Sequence, residues 1–502
     1  MGAAPLAYQW RFNGTNLADS TDVFGAASAT LALADVRTNH EGLYAVVCSN
    51  AYGSATSAVA RLTVLQVRFN YTIDNGTITI TEYFGPGSSV AIPETIDGLA
   101  VTRIGTNAFS GFTPLASVTL PKSVTSIGDG TFSACAGLTN ITVDVLNPNY
   151  SDNDGVLLDK QQNTLIQYPR GRVGGYVIPS TVTRIGDSAF SSCTGLTTIL
   201  LPEGVTKIGP SAFYGCTGLT NMVLPNSLTN IADSTFSGCI GLTSISLPDS
   251  VIHIAGSAFY ACSALSSLNL PNSVTSIGGG AFAHCTGLTN ITLPDSVTNI
   301  GWFVFSGCKG LTHVAIGNGV TRIGFMTFAG CDGLTSIALP NSVTSLEGDA
   351  FYRCAGLTSI TMGNGVASIG SGAFTGSTNL TNVYFAGNAP SFPGTSSLAG
   401  DGATVYYLPG TTGWGPTFGG HPTALWQPRV QTIDASIGVR TNQFGFNVTW
   451  ASGRDVVVEA CADLANPAWA TEGTNTLTGE SSYFTDPQWT NYPARFYRLR
   501  SP

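Results

Sequence analysis

Cysteine recurs at a fixed interval through most of this chain of 502 residues. Nine cysteines occupy one position of a repeating unit, and Cys135 is the first of them, upstream of an insertion. The other eight follow one another at intervals of 23 residues, at Cys193, Cys216, Cys239, Cys262, Cys285, Cys308, Cys331 and Cys354. A period of this length is typical of a solenoid, in which each unit stacks on its neighbours. The spacing therefore predicts a stacked repeat architecture for most of the chain.

The repeating unit alternates between strand signals and turn signals. Its common form is L-P-x-S-V-T-x-I-G-x-x-A-F-x-x-C-x-G-L-T-x-I-x, and a clean copy covers residues 270–292. Apolar residues with period two predict a first short strand, which Pro294 ends because proline has no N–H to donate to a ladder. Val297 and Ile300 are expected to face the core from a second short strand. The Ala-Phe segment, with Phe282 as an example, is expected to form a helical or 3-10 turn.

Identical side chains are expected to stack along the repeats. The phenylalanine position is filled in eleven units, at Phe109, Phe132, Phe190, Phe213, Phe236, Phe259, Phe282, Phe305, Phe328, Phe351 and Phe374. Neighbouring strands lie about 4.8 Å apart, so each ring should touch its copies above and below. A single unit buries too little apolar surface to offset the ordering of its backbone, so the stack needs caps. The predicted caps are residues 67–92, with a hairpin signal at Asp74-Asn75-Gly76, and residues 383–428.

Two stretches of sequence resemble a known repeat family. The string L-T-N-I-T-L-P-D-S-V-T-N-I-G at residues 288–301, with cysteine and glycine in step, is similar to the BspA-like leucine-rich repeat family. The longer unit at residues 144–181 is similar to that family's hairpin-bearing variant repeat. The resemblance covers about two-thirds of the chain. It implies a secreted or surface-attached bacterial protein, and some members of the family are adhesins that bind host matrix components or other cells.

Both flanks of the repeats carry a different pattern. Residues 1–66 resemble the second half of an immunoglobulin-like domain, with Trp10 as the core tryptophan, Tyr44 as the corner tyrosine and Cys48 as the second cysteine. The strands that would carry the first cysteine are missing, which favours a truncated N-terminus. The alternative is a short β module in which Cys48 is a buried thiol. Residues 429–502 are predicted to form a small antiparallel β-sandwich and resemble C-terminal modules of large bacterial surface proteins.

The low charge content excludes several classes of function. Charged residues make up 10% of the chain, against about 25% in an average globular protein, and the net charge is −9. There is no basic run to bind nucleic acid and no stretch of about 18 apolar residues to span a membrane. The first residues lack the features of a secretory signal, as a truncated N-terminus would explain. No phosphate-binding loop or catalytic triad pattern occurs, so we expect neither a cofactor nor an enzyme activity.

The cysteine ladder allows three interpretations. A metal site needs convergent ligands, commonly in local pairs such as C-x2-C, whereas these cysteines lie one to a unit and point in parallel. Disulfides need Cα atoms about 4.4–6.8 Å apart, which adjacent units meet, but parallel side chains argue against bridging. We therefore expect free, inert core thiols, since cysteine also serves as a small buried apolar residue. The histidines of the repeats, His253, His284 and His313, occupy three different positions of the unit and are not expected to form a metal site.

Two neighbouring units depart from the common pattern at their surface. Trp302, Phe303, Phe325 and Met326 are large apolar residues at positions where other units carry Asp, Ser or Gly. Trp302 and Phe325 share one position and should stack on each other. Exposed apolar patches often mark contacts, so this patch is a candidate binding site. The alternatives are that the final domain folds back over the patch, or that the four residues merely fill a groove.

Threonines and basic residues offer two weaker candidates. A threonine ladder faces outward, and the simpler explanation for it is the strand preference of β-branched residues. One outward position of the second strand carries basic residues at Arg103, Arg184, Lys207, His253 and Arg322. Spaced charges commonly serve solvation. The more specific alternative is that Arg184, Lys207 and Arg322 bind anionic glycans or sialylated partners.

The sequence therefore predicts a mainly β fold, in which a leucine-rich repeat solenoid of 23-residue units at residues 67–428 lies between small β-sandwich modules. The expected function is non-enzymatic binding or adhesion by a secreted or cell-surface protein that acts as a monomer. Its expected partner is an extracellular protein or glycan, and neither nucleic acid nor a membrane-spanning segment is expected. A structural spacer that displays other modules at the cell surface is the alternative.

Overall fold

Short β-strands make up nearly all of the regular structure, and the only helices among the described residues are the 3-10 turns Thr38–His40 and Trp489–Asn491. The structure, a computed structural model, describes residues 6–34, 36–64, 69–392, 398, 402–430, 437–440, 443–450, 455–464, 468–477, 481–492 and 494–500. The chain divides into two units, Met1–Gln161 with Pro169–Gly171 and Gln162–Tyr168 with Arg172–Pro502. The predicted mainly β fold is confirmed.

The N-terminal strands of the first unit form an antiparallel sheet around Tyr44. Ala7–Phe12 pairs with Gly42–Asn50, and the Tyr44 hydroxyl donates to the backbone oxygen of His40 at 2.8 Å. A buried tyrosine bonded to the chain just upstream is the corner arrangement of immunoglobulin-like domains. Cys48 is half-buried and forms no disulfide. The immunoglobulin-like module stays a prediction, and its boundary at residue 66 lies outside the described residues. The remaining strands are Thr15–Asn16, Val23–Phe24, Ala32–Leu33, Gly53–Thr56 and Ala60–Leu62.

A β-hairpin precedes the repeats of the first unit. Phe69–Asp74 and Thr77–Tyr83 pair antiparallel, and both residues of the Asn75-Gly76 turn have positive φ. These backbone angles suit the two-residue turn that Asn-Gly favours, so the predicted hairpin is confirmed. A second hairpin, of Tyr150–Asn153 and Val156–Asp159, lies in the longer repeat at residues 144–181. The other strands of this unit are Ser89–Ala91, Thr95–Ile96, Leu99–Ile104, Ser117–Leu120, Ser126–Ile127 and Asn140–Val143.

Two columns of strands follow the repeats of the second unit. The first column consists of Gly174–Val177, Leu196–Leu200, Asn221–Val223, Ser244–Ser246, Asn290–Leu293, His313–Ile316, Ser336–Ala338, Ser359–Met362, Asn382–Phe385, Thr404–Tyr407 and His421–Leu425, with Thr417–Phe418 beside the last. The second column consists of Thr164–Gln167, Arg184–Ile185, Lys207–Ile208, Asn230–Ile231, His253–Ile254, Ser276–Ile277, Asn299–Ile300, Arg322–Ile323, Ser345–Leu346 and Ser368–Ile369. Strand pairing is parallel and shifted by one repeat, as in Asn290 opposite His313. Equal positions of successive repeats are therefore neighbours, and each repeat is one rung of a stack.

Phenylalanine rings form a continuous column inside the second unit. From Phe190 to Phe374 every ring stacks on the next, with centroids 4.9 Å apart at Phe190 and Phe213 and 5.6 Å apart at Phe282 and Phe305. The planes of neighbouring rings differ by 16° or less. The rings are fully buried. Each stacked pair adds about 0.5–1.5 kcal/mol to the contribution of the buried area. The predicted stacking of identical side chains is confirmed.

The segment around Phe282 is not the helical turn that the sequence predicts. The N–H of Phe282 donates to the carbonyl of Val304 in the next rung at 2.9 Å, while Ala283 donates to Gly280, three residues back. Gly280 and His284 have φ of 63° and 60°. Left-handed residues interrupt any run of helical dihedral angles, and alternate N–H groups are directed to the next rung. The turn thus forms a third ladder of backbone hydrogen bonds along the stack.

None of the eleven cysteines forms a disulfide, and the nine in the repeats are fully buried. Each repeat thiol whose bond is described donates to the carbonyl of the phenylalanine 26 residues back; Cys216 Sγ, for example, lies 3.0 Å from the Phe190 oxygen. In the last repeat Ser377 takes the cysteine position, and its hydroxyl donates to the Phe351 carbonyl at 2.7 Å. Burial raises the pKa of the Cys354 thiol to about 12. The expected buried, unbridged thiols agree with the structure.

The C-terminal strands form two antiparallel sheets. One contains Arg429–Val430, Gly438–Arg440, Gln443–Thr449 and Ser481–Asp486, and the other contains Asp455–Cys461, Ala470–Thr476 and Phe496–Arg500. Their shared core includes Phe446, Trp450, Val458 and Phe484, and it also buries Leu408 from the end of the repeats. This module therefore packs against the last strands of the stack. The predicted boundary between residues 428 and 429 stays a prediction.

Candidate binding surface

Four large apolar side chains, which we call the aromatic cluster, lie together on the turns of two adjacent rungs: Trp302, Phe303, Phe325 and Met326. Trp302 is 58% exposed and Phe303 38% exposed, while Phe325 and Met326 are half-buried. Trp302 and Phe325 contact each other edge to face, at 6.5 Å and 75°, and do not stack as the sequence predicts. The reason is Phe303, whose ring lies 5.3 Å from Phe325 at 85°, so that Phe325 packs against both rings. The exposure of Trp302 and Phe303 argues against the alternative that the final domain folds back over the cluster.

The backbone under the cluster is unfavourable for large side chains. Phe303 and Met326 have φ of 60° and 52°. Other rungs place Ser257, Gly280 or Asp349 at this position, with φ of 53°, 63° and 54°. Left-handed backbone disfavours residues other than glycine by about 1–2 kcal/mol, and bulky residues are rare in it. Two adjacent rungs therefore carry side chains that the fold itself does not favour.

One ion pair joins the charged groups of this region. Arg322 Nη1 lies 3.0 Å from Glu347 Oε1, and the other carboxylate oxygen of Glu347 accepts the Phe325 N–H at 2.9 Å. Glu347 thus fixes both the backbone of the cluster and the guanidinium beside it. Sequence reasoning missed Glu347, although it occupies a position that is glycine in most units, Gly301 among them. That departure was the available signal.

The structure brings together only two of the three predicted basic residues. Arg184 and Lys207 are direct neighbours in the second column of strands, and both are exposed. Arg322 lies five rungs beyond Lys207, a separation of about 24 Å at the usual spacing of strands. Polar, uncharged residues occupy most of the rungs between, such as Ser276 and Asn299. Arg322 thus lies beside the aromatic cluster, apart from Arg184 and Lys207 in the same column.

A pocket of about 550 Å³ opens beside the cluster. Its lining includes Trp302, Phe303 and Arg322 together with Tyr260 and His284. The Tyr260 and His284 rings contact edge to face at 5.3 Å. The pocket thus offers aromatic faces, one imidazole and one guanidinium to a ligand. Neither Tyr260 nor His284 was expected from the sequence, because they occupy different positions of the unit from the four cluster residues.

The hydroxyl groups of the threonine ladder form hydrogen bonds with the backbone of the stack. The Thr243 hydroxyl donates to the backbone carbonyl of Thr220 at 2.9 Å, and that of Thr358 donates to Thr335 at 3.0 Å. The same bond, directed one rung back, recurs at Thr312. These hydroxyl groups supplement the backbone ladder. The simpler explanation of the threonine ladder, a preference for strands, is the one that the structure supports.

Among the described residues there are no three His, Cys, Asp or Glu side chains placed to share a metal ion. The three repeat histidines lie in different parts of the rung, His253 and His313 in the two columns of strands and His284 in a turn. Within the same described ranges, no helix has the length and hydropathy to cross a membrane.

The repeats identify the family. Residues 87–152, 173–289 and 275–396, together more than half of the chain, match the family described as BspA type Leucine rich repeat region, in six copies. The chain belongs to this family of leucine-rich repeat proteins. The family match confirms the resemblance found in the repeat sequence and the predicted solenoid of leucine-rich repeats.

Solved structures with similar repeats come from bacteria. A leucine rich cell surface protein from Faecalibacterium prausnitzii A2-165 is 26% identical, with 65% of this chain and 96% of that chain covered and a TM-score of 0.38. A leucine-rich repeat protein from Bacteroides ovatus ATCC 8483 is also 26% identical, with 64% and 94% covered and a TM-score of 0.39. TM-scores this low carry no inference about function. The comparison with curated proteins gave no match.

Proposed function

We propose that this chain is a non-enzymatic binding protein, secreted or displayed at the cell surface, that holds an extracellular protein through the aromatic cluster. In this proposal it acts as a monomer, and the immunoglobulin-like and C-terminal modules precede and follow the repeats in the chain, with boundaries at residues 66 and 428. Arg184 and Lys207, which lie apart from the cluster, serve solvation.

The observation that carries this proposal is the presence of Phe303 and Met326 in left-handed backbone. Gly280 fills the same position in an adjacent rung, so the turn does not need a large side chain there. Trp302, 58% exposed, also contributes little to the core. Residues that the fold does not need, and in part disfavours, are typical of functional sites.

The chemistry of the region suits a protein partner. Trp and Arg are enriched among the residues that dominate protein interfaces, and the cluster presents Trp302 with Arg322 at its rim. Glu347 holds the guanidinium in place before a partner arrives, which reduces the ordering that binding requires. An apolar side chain of the partner would enter the pocket between Trp302 and His284.

The ladders favour a second candidate function, a structural spacer. Each rung is joined to the next by side chains as well as by backbone, as at Thr312 and Cys308. Such a stack would hold other modules apart without binding any partner of its own. Binding measurements separate the two candidates because a spacer has no specific ligand.

The test is binding of the full chain to an array of purified extracellular matrix proteins, with serum albumin as the negative probe. Trp302→Ser and Phe303→Gly, which restore residue types found in other rungs, should weaken binding at least about tenfold. Tyr214→Ser removes an aromatic side chain of intermediate exposure, 47%, from another rung and should leave binding unchanged. Binding that survives both cluster variants, or no binding to any matrix protein, would overturn the proposal, and the latter result would favour the spacer.

A further inference from the structure

A groove lies where the C-terminal module meets the last rungs, on the face formed by the first column of strands. Its volume is about 960 Å³, at the upper end of the range of about 300–1,000 Å³ for small-molecule sites. The floor consists of outward residues of three rungs, among them Ser359, Thr361 and Tyr384. Trp426 and Arg429 belong to the opposite wall. The groove is thus made by two parts of the chain and not by the repeats alone.

Aromatic rings gather at one end of this groove, where Tyr384 and Trp426 line it with their planes tilted by 41°. Tyr384 stacks on Tyr406 with centroids 5.0 Å apart and planes 19° apart. Trp426 lies 4.9 Å from Tyr384. Tyr384 and Trp426 are half-buried, so part of each side chain is accessible from the groove. Equivalent positions of other rungs carry small residues such as Thr361 and Ala338, so this surface is particular to the end of the stack.

Polar groups with open hydrogen-bonding capacity surround these rings. The hydroxyl groups of Ser359 and Thr361, the Gln427 amide and the Trp426 indole N–H make no hydrogen bond with the described part of the chain. The Arg429 guanidinium lies over the Tyr406 ring at 5.7 Å. Of the described residues that line the groove, Arg429 is the only charged one. The site therefore presents partly accessible aromatic rings, several neutral donors and acceptors, and one positive charge.

We propose that this groove binds an acidic oligosaccharide, a chain of sugar rings that carries a carboxylate. The apolar face of a sugar ring packs on an aromatic side chain, and its hydroxyl groups both donate and accept hydrogen bonds, as the amide and hydroxyl groups of the groove do. A guanidinium binds a carboxylate through two parallel hydrogen bonds. Arg429 is placed to make this contact.

An extended peptide suits the floor of the groove less well. Ser359–Met362 and Asn382–Phe385, the strands beneath it, are paired on both sides, so they leave no strand edge for a peptide to pair with. The floor is also mostly polar at its outward positions, whereas a groove for an amphipathic helix is apolar. The inference does not rest on the aromatic cluster, none of whose four residues lines the groove.

The test is binding of the full chain to an oligosaccharide array that contains matched pairs of free and methyl-esterified uronic-acid oligomers beside neutral oligomers. We expect a free-acid oligomer to bind at least about tenfold more tightly than its ester, and Arg429→Gln to remove that difference. Arg61→Gln, at an exposed arginine outside the groove, and Trp302→Ser should not affect it.

Thr361→Val keeps the shape of the floor and removes one hydroxyl group, so it should weaken binding about threefold to tenfold, while the unfolding transition shows that the variant folds. No binding to any oligosaccharide, binding of neutral oligomers alone, or binding unchanged in Arg429→Gln would each overturn the proposal. Since Trp302→Ser serves as a control here, failure of the groove proposal leaves the aromatic cluster proposal standing, and the reverse also holds.

Discussion

The buried thiols make the stability of the stack depend on pH in a way that one substitution can isolate. Cys354 is fully buried, and its Sγ donates to the Phe328 carbonyl at 3.0 Å. Burial raises the pKa of this thiol to about 12, whereas an exposed thiol of the unfolded chain has a pKa of about 8.5. Cys354→Ser removes the titration and keeps a donor. Ser377 shows that a hydroxyl group can make the same bond in the next rung.

The sign and size of the effect follow from the two pKa values. Below about pH 8 the thiol is protonated in both states, so its contribution to the free energy of unfolding is constant. Above this pH the unfolded chain loses the proton and the folded chain does not, so the free energy of unfolding falls as pH rises toward the folded pKa. Each pH unit in this window is worth about 1.4 kcal/mol. Between pH 8 and pH 10 one thiol therefore loses about 2 kcal/mol.

The assay is urea unfolding of the native chain and Cys354→Ser, followed by circular dichroism at pH 8 and pH 10. We expect the variant to be less stable by about 1–2 kcal/mol at pH 8, and to be as stable as the native chain or more so at pH 10. The other buried thiols, the tyrosines and the lysines also titrate, but they are common to both proteins and cancel in the difference. A stability difference that stays the same at the two pH values would refute the reasoning from burial.

Three further predictions concern the columns and the turns. In the native chain at pH 8 we expect an alkylating reagent to modify half-buried Cys48 and none of the nine repeat thiols. After unfolding, mass spectrometry should show all eleven cysteines modified. Modification of a repeat thiol before unfolding would contradict the expectation that these thiols are inert. Phe282→Ala should destabilise the stack by about 3–5 kcal/mol. The loss should exceed that of Phe374→Ala by about 1 kcal/mol, because Phe282 stacks on two rings and Phe374 on one. Equal losses in urea unfolding would argue against a contribution from stacking. Gly301→Ala should cost about 1–3 kcal/mol because a Cβ there would clash with the backbone nitrogen of Gly279. Gly204→Ala should change stability by less than about 1 kcal/mol in thermal melts, because its Cβ would come no closer than 4.0 Å to a neighbouring atom.

Most of the fold was predictable because each rung repeats the same solution. A side chain at a buried position must fit its own copies, so the period of 23 residues determined the register, and Phe190 stacks on Phe213 as the sequence predicted. The hairpin at Asn75-Gly76 was equally readable, because this dipeptide favours the left-handed turn that the structure contains. Local turn chemistry and long-range repetition agreed in both cases.

The turn ladder and the arrangement of the cluster were not predictable from the pattern alone. Ala-Phe next to a glycine suggests a helical turn, but the alternation of left-handed residues depends on N–H groups that reach the next rung, as Phe282 reaches Val304. The stacking of Trp302 on Phe325 failed for a similar reason. Sequence position placed the two rings in one column, and Phe303, one residue later in the chain, took the space beside Phe325.

The groove beside the C-terminal module and the Arg322–Glu347 ion pair could not be predicted from the repeating unit. Arg322 and Glu347 lie in adjacent rungs at different positions of the unit, so no single column of the repeat contains both. Trp426 and Arg429 come from outside the repeats altogether, and only the folded chain places them beside Tyr384. Both features depend on packing between segments whose spacing carries no period.

Side chains of this stack fall into two classes: those that repeat from rung to rung and those that depart from the repeat. The distinction helps to recognise functional residues. Phenylalanine, cysteine and threonine direct their groups to a neighbouring rung, as Cys216, Thr243 and Phe282 do, so repetition at these positions indicates packing. Function is then to be sought where a rung departs from its neighbours, above all where the departure works against the backbone, as at Phe303. Restoring glycine there relieves about 1–2 kcal/mol of backbone strain and removes a contact of similar size, so stability should change little while binding is lost. A large loss of stability in Phe303→Gly would show instead that the ring serves the fold, and the residue would then join the first class.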